Sequence, residues 1–185
     1  MKQMLVVVDM VNGFINEGAL ADKKINKITP NIVNLIEKAK KEGALIVAFK
    51  DCHSVDDEEF KVFPPHCVKG SRESELIPEL KKYEKDMILV EKNTTNGFIT
   101  EQFMNLIKTQ DFDNVLVVGC CTDICVLNAA IPLQTYLDQH DRDVKIKVYK
   151  NCVETYDAPN HNREEYNEMS YKLMSQAGIK VVESY

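Results

Sequence analysis

The chain has 185 residues, a length that fits one domain over residues 1–185, with enough core to fold without disulfides or a structural metal. A net charge of −6 offers no basic face for phosphate and argues against nucleic acid as a partner, while 44% hydrophobic and 28% charged residues describe a soluble globular protein. No apolar stretch reaches membrane-span length, and Asp9 interrupts the apolar run of MKQMLVVVDM with no small-residue cleavage site after it, so a cytoplasmic protein with no membrane partner is expected.

In chain order, Met4 to Val8 predicts a first strand that ends at Asp9. Thr29-Pro30 predicts an N-cap followed by proline in the first helical turn, and Ile32, Leu35, Ile36 and Ala39 then repeat on one face until Gly43 stops the helix. Ala44 to Phe49 predicts a second strand. From Asp51 to Leu80 the charges, Pro64-Pro65 and Gly70 predict a long structured loop, which in a compact domain is usually functional. Strands are expected at Met87 to Val90, Val115 to Val118, Val144 to Tyr149 and Ile179 to Val182. Helices are expected at Thr100 to Lys108, around Asp123 to Gln139 with Pro132 kinking or interrupting it, and from Arg163 to Ala177 with Gly178 as the stop. Strands apolar at every position, alternating with helices, predict an α/β fold: a three-layer α/β/α sandwich around a mainly parallel six-stranded sheet.

Ligands of such sheets bind beyond the carboxyl ends of the strands. Asp9, Asp51, Lys92 and the segment Gly119 to Cys125 each follow a predicted strand, so reactive residue types converge on one edge. The six cysteines, at 52, 67, 120, 121, 125 and 152, are expected to be reduced thiols, most of them small buried hydrophobes. Cys125 differs in context. In GCCTDICV, residues 119–126, Gly119 permits an unusual backbone and Thr122 or Asp123 can cap a helix starting near Cys125. A thiol there would feel the positive end of the helix dipole, which lowers its pKa, and nearby backbone N–H groups would be free for an oxyanion. Taken alone, a cysteine at a helix start is more often a buried structural thiol, and Asp9 reads equally as a cap and Lys92 as an exposed charge.

Asp51 and His53 stand two apart, so on an extended segment they project to the same side, and His66 returns after the Pro64-Pro65 turn. One carboxylate with two imidazoles suits zinc, iron or manganese and leaves positions open for water or substrate. His140 and His161 lie in polar surroundings and are expected at the surface.

The segment G-x-x-T-D-I-C-V resembles the nucleophile turn of the nicotinamidase branch of the isochorismatase-like cysteine hydrolases. The likeness extends along nearly the whole chain: VVVDM with Asp9, an aromatic five residues on at Phe14, and VEKNT with Lys92. It implies an isochorismatase-like fold with Cys125 as nucleophile, Asp9 as general base and acid, and Lys92 favouring the ionised forms of both. It also implies a cis peptide between Cys120 and Cys121, with the N–H groups of Cys121 and Cys125 as oxyanion hole. The family's D-x-H followed by a PPH motif implies a metal site at Asp51, His53 and His66. In some members a glutamate seven residues before the last histidine joins it, here Glu59, with Asp57 and Glu58 adjacent to it; otherwise waters complete the set. Zinc is the implied ion, with iron or manganese as alternatives. Phe14 and Phe63 would flank a substrate ring, and Ile99 stands where some relatives carry tyrosine.

The activity so implied is hydrolysis of nicotinamide to nicotinate and ammonia through a cysteine thioester, with pyrazinamide as a further substrate and a homo-oligomer as the assembly. Three other readings remain: a metal-free relative acting on isochorismate or on a carbamoyl or ureido compound, a catalytically silent binding protein on the same fold, and a thiol redox protein built on Cys120, Cys121 and Cys125.

Overall fold

The computed structural model describes residues 2–185. Six strands, β1 (Gln3–Val8), β2 (Leu45–Asp51), β3 (Ile88–Lys92), β4 (Asn114–Cys120), β5 (Lys145–Glu154) and β6 (Lys180–Val182), form one sheet in the order β3-β2-β1-β4-β5-β6. Every neighbouring pair is parallel, so the sheet is parallel throughout and not only mainly so. The chain winds outward from β1 in one direction, then returns to place β4 on the other side of β1. At this reversal the connections after β1 and β4 leave to opposite faces, which opens a crevice at their carboxyl ends.

Burial on both faces explains the apolar runs. Met4, Val6 and Val8 point into one core with Phe49, Val90 and Val117; Leu5 and Val7 point into the other with Ile46, Ala48 and Val118. The helices after β1 and β2, α1 (Asn12–Ile15), α2 (Thr29–Glu42) and α3 (Pro78–Lys81), cover the second core through Ile15, Ile32, Ile36 and Leu80. The helices after β3, β4 and β5, α4 (Glu101–Thr109), α5 (Leu127–Gln139) and α6 (Arg163–Gln176), cover the first through Phe103, Ala130, Leu133 and Met174. The three-layer expectation is met. Among the described residues, no helix is long and apolar enough to cross a membrane.

Several local expectations change. Pro30 stands in the first turn of α2 and Gly43 ends it in the left-handed conformation, but Thr29 does not cap. A 3-10 turn over Lys23–Ile28 runs straight into the helix, so the Thr29 hydroxyl lies within it and donates to Asn26 Oδ1. Pro132 does not interrupt α5, which runs continuously through it. The ring removes only the bond to the carbonyl of residue 128, and Ala129, Ala130, Leu133 and Leu137 hold the helix on the core. Strand β5 continues past Tyr149 to Glu154: its register with β4 shifts between Val117 and Gly119, so Lys150 and Asn151 fall in an irregular stretch before pairing resumes at Val153 and Glu154. The 51–80 segment is ordered by two 3-10 turns, by α3 and by bridges from His53 to Val68 and from Val11 to Leu76.

Gly119 has φ +119°, and a Cβ there would lie 2.0 Å from the carbonyl oxygen of Val8. Only glycine lets β4 approach β1 this closely at the point where both strands deliver their reactive residues. All six cysteines are free thiols, four of them buried.

Candidate active site

Asp9 is the residue after β1, with a backbone φ of +49° and no exposure to solvent. Lys92 ends β3 and its side chain is fully buried. Its ammonium lies 2.9 Å from Asp9 Oδ2 and 2.6 Å from Asp51 Oδ1, and it donates toward Cys125 Sγ at 3.9 Å. Neither Asp9 oxygen has an aligned hydrogen-bond donor among the described residues, so its contact with Lys92 is an ion pair without hydrogen-bond alignment.

One ammonium among two carboxylates sets the electrostatics. Burial raises Asp9, Lys92 opposes it, Asp51 adds to it, and the carboxyl ends at about 6. Burial acts on Asp51 in the same sense, but Lys92 and the hydrogen bonds from His53 and His66 outweigh it and hold that carboxyl well below its usual range. Burial would lower Lys92, yet Asp9, Cys125 and Asp51 together raise it well above the ordinary lysine value.

The expectation of a lowered Cys125 pKa is overturned. Cys125 is only 7% exposed, and burial raises the thiol well above its usual value; Lys92 lowers it, while Asp9 and Asp51 raise it further. Desolvation of the thiolate outweighs the favourable charge beside it. Burial thus favours the neutral thiol, and the Lys92 ammonium stands between it and the Asp9 carboxylate.

Cys125 sits on a π-helical turn, Thr122–Val126, that leads into α5. The turn starts at Thr122, and neither Thr122 nor Asp123 caps it: the Asp123 carboxylate accepts from His161 instead. The peptide between Cys120 and Cys121 is cis.

Beside this group, Asp51, His53, Glu59 and His66 offer four ligand atoms within 4.8 Å of one another. Asp51 Oδ2 lies 2.9 Å from His53 Nε2 and 3.0 Å from His66 Nε2; Glu59 Oε2 lies 3.2 Å from His53 Nε2 and 3.9 Å from His66 Nε2. Ligands about 2.0–2.2 Å from a tetrahedral zinc stand roughly 3.3–3.6 Å apart, so small side-chain shifts would complete a cage. The other ring nitrogens are already engaged, His53 Nδ1 with Asp57 at 3.1 Å and His66 Nδ1 with the Pro64 carbonyl at 2.8 Å, which leaves each Nε2 for a metal. Burial would lower His53, but Asp51 and Glu59 raise it to about 10: this anionic cluster draws in positive charge. The three acidic residues at 57–59 point in different directions. Asp57 turns back to His53, Glu58 points out to Lys61, and Glu59 turns inward with its second oxygen accepting from the Thr95 amide.

Both groups open on one cavity of about 350 Å3. Phe14 and Phe63 line it, their rings 5.6 and 6.3 Å from that of His66. Ile99 lies outside it and is 61% exposed; the lining is completed by Leu20 to Asp22, Ile124 and Tyr156 to Ala158. Those residues carried no motif, and only the continuation of β5 to Glu154 leads to Tyr156. His140 is exposed as expected, but His161 is buried, stacked between two tyrosines that its polar sequence neighbours gave no sign of.

A model of the family described as Isochorismatase domain matches residues 3–184. The chain is 34% identical over 177 residues to Nicotinamidase 1 of Arabidopsis thaliana, covering 85% of this chain and 71% of that protein. It superposes on N-carbamoylsarcosine amidase from Thermoplasma acidophilum with a TM-score of 0.80 at 28% identity, over 98% of this chain and 95% of the other. It superposes on the pyrazinamidase of Pyrococcus horikoshii in complex with zinc with a TM-score of 0.79 at 26% identity, over 98% and 99% of the two chains.

Proposed function

This chain is an amidohydrolase of the isochorismatase domain family, and from that premise we propose that it hydrolyses nicotinamide to nicotinate and ammonia, with pyrazinamide as a further substrate. The observation that carries the reading is that Lys92 and Cys125 line one cavity with Asp51, Glu59 and His66, while Asp9 pairs with Lys92 and His53 with Asp51 directly behind them. Its volume, about 350 Å3, suits a single small ring with one carboxamide.

Asp9 takes the Cys125 proton, and sulfur attacks the carboxamide carbon. The amides of Cys121 and Cys125 receive the developing oxyanion. Asp9 returns the proton to the nitrogen, the C–N bond breaks, and ammonia leaves a nicotinoyl thioester on Cys125. Water then gives a proton to Asp9 and adds to the thioester, and the acid departs as the thiol is restored. Lys92 keeps Asp9 and Asp51 in place throughout, and Phe14 and Phe63 hold the ring. Asp51, His53, Glu59 and His66 would hold one divalent cation, zinc by donor set; bound there, it supplies a Lewis acid to which a ring nitrogen can bind.

The likeness to an N-carbamoylsarcosine amidase keeps a ureido or carbamoyl substrate as the second reading. The buried histidine and carboxylate cluster favours the ring amide, because a ureido group offers no aromatic nitrogen to a metal. Chelation is expected to lower ammonia release and raise KM for nicotinamide, with metal content followed by mass spectrometry, and readdition of zinc, iron or manganese should identify the ion. Full activity in protein free of metal would contradict the role given to the cluster.

Because Asp9 must be ionised to act as base and its pKa is raised to about 6, kcat/KM is expected to fall about tenfold per unit below that pH. A flat profile through that range would remove Asp9 from the role of base.

A further inference from the structure

We propose that His161, through its bond to Asp123, is the positioning residue that fixes the Tyr156–Ala158 wall against the turn carrying Cys125, and so sets which acyl groups reach the thiol. The inference rests on the proposed function in taking this cavity as the acyl site.

The His161 ring is 7% exposed and lies between Tyr156, at 3.8 Å and 11°, and Tyr166 of α6, at 3.7 Å and 29°. Its Nε2 is 2.8 Å from Asp123 Oδ2, and its Nδ1 is 3.1 Å from the Tyr156 carbonyl. Asp123 stands two residues before Cys125 on the same π-helical turn. The segment closes on itself through two backbone hydrogen bonds, from the Ala158 N–H to the His161 carbonyl at 3.0 Å and from the His161 N–H to the Ala158 carbonyl at 2.9 Å. Arg163 anchors it a second time: it donates to the Thr155 carbonyl at 2.8 Å and pairs with Asp22, which also accepts from the Asp157 amide at 3.2 Å. Arg163 thus joins two walls to each other, while His161 joins one of them to the nucleophile turn.

A phenylalanine at 161 could make the same stack. The imidazole adds a directed bond to a largely buried carboxylate, a pairing that apolar groups often replace without loss of stability. What the pair supplies is register between Tyr156 and Cys125. A tyrosine face held at fixed distance from a nucleophile selects planar acyl groups over bulkier or ringless ones.

The test compares wild type, His161→Ala and His161→Gln, the last of which keeps a donor for Asp123. Cys125 is alkylated with iodoacetamide, which has no ring, and with N-phenyl iodoacetamide, and labelling of the Cys125 peptide is followed by mass spectrometry. His161→Ala is expected to lower the ring-to-ringless rate ratio about tenfold, the size of one lost aromatic contact, with iodoacetamide rates within about twofold of wild type. His161→Gln should retain most of the ratio. An unchanged ratio in His161→Ala overturns the proposal, as does a parallel change in both rates that glutamine does not rescue. The alkylation ratio reads the wall without turnover, so failure to release ammonia from nicotinamide would sink the substrate assignment and leave this result standing.

Discussion

Replacing Cys125 with alanine is expected to lower ammonia release by about 10^4-fold or more, the scale on which a covalent nucleophile is lost. The reason is the chemistry of the site. Without sulfur no thioester forms, and Asp9 and Lys92 are left to direct a water onto an amide, a far poorer nucleophile for a poor leaving group. The fold should survive, because Cys125 is a small side chain at the margin of the core that includes Val126 and Ala129, and trimming it costs roughly 1 kcal/mol. Denaturation midpoints measured beside the activity separate the two effects. In wild type, acid quenching during turnover should leave an acyl increment on the Cys125 peptide; its absence, together with a fully active Cys125→Ala protein, would end the covalent scheme.

The second large effect is structural. Lys92→Met removes the one ammonium that lies 2.9 Å from Asp9 and 2.6 Å from Asp51, and leaves two buried carboxylates facing each other. Removing one partner of a buried ion pair costs about 3–5 kcal/mol, because the Asp9 charge left behind is neither solvated nor paired, whereas Asp51 keeps His53 and His66. The pH dependence follows from the sign of the shift. With Lys92 gone, Asp9 has a pKa further above its unfolded value, so the folded state binds its proton more tightly than the unfolded chain does. Stability of the variant is then present at low pH and lost as pH rises through that folded pKa. Urea denaturation at about pH 5 and about pH 8 should show the larger deficit at the higher pH. A variant as stable as wild type at both would mean that Lys92 does not hold these charges.

The architecture was legible because strands buried on both faces are apolar at every position, as in β1 and β4, and that pattern survives without an alignment. The reactive residues were legible for a related reason: Asp9 and Cys125 come after β1 and β4, Asp51 and Lys92 end β2 and β3, and a doubly wound sheet brings those ends together. Spacing could not choose among Asp57, Glu58 and Glu59, since a 3-10 turn sends neighbours in different directions and only the fold shows which one turns inward. His161 was hidden for a different reason. Asn160 and Asn162 make its surroundings polar in sequence, while its burial comes from Tyr156 before it and Tyr166 on the next helix. The Cys125 thiol was misjudged because a helix terminus is visible in a sequence and desolvation is not.

The most direct measurement is ammonia release from nicotinamide by the purified metal-loaded protein, run beside an N-carbamoyl amino acid at equal concentration. Turnover of nicotinamide is expected to saturate and to exceed that of the ureido compound. No release from nicotinamide, with release from the ureido compound, would contradict the substrate assignment while leaving the cysteine chemistry to be tested on that second class.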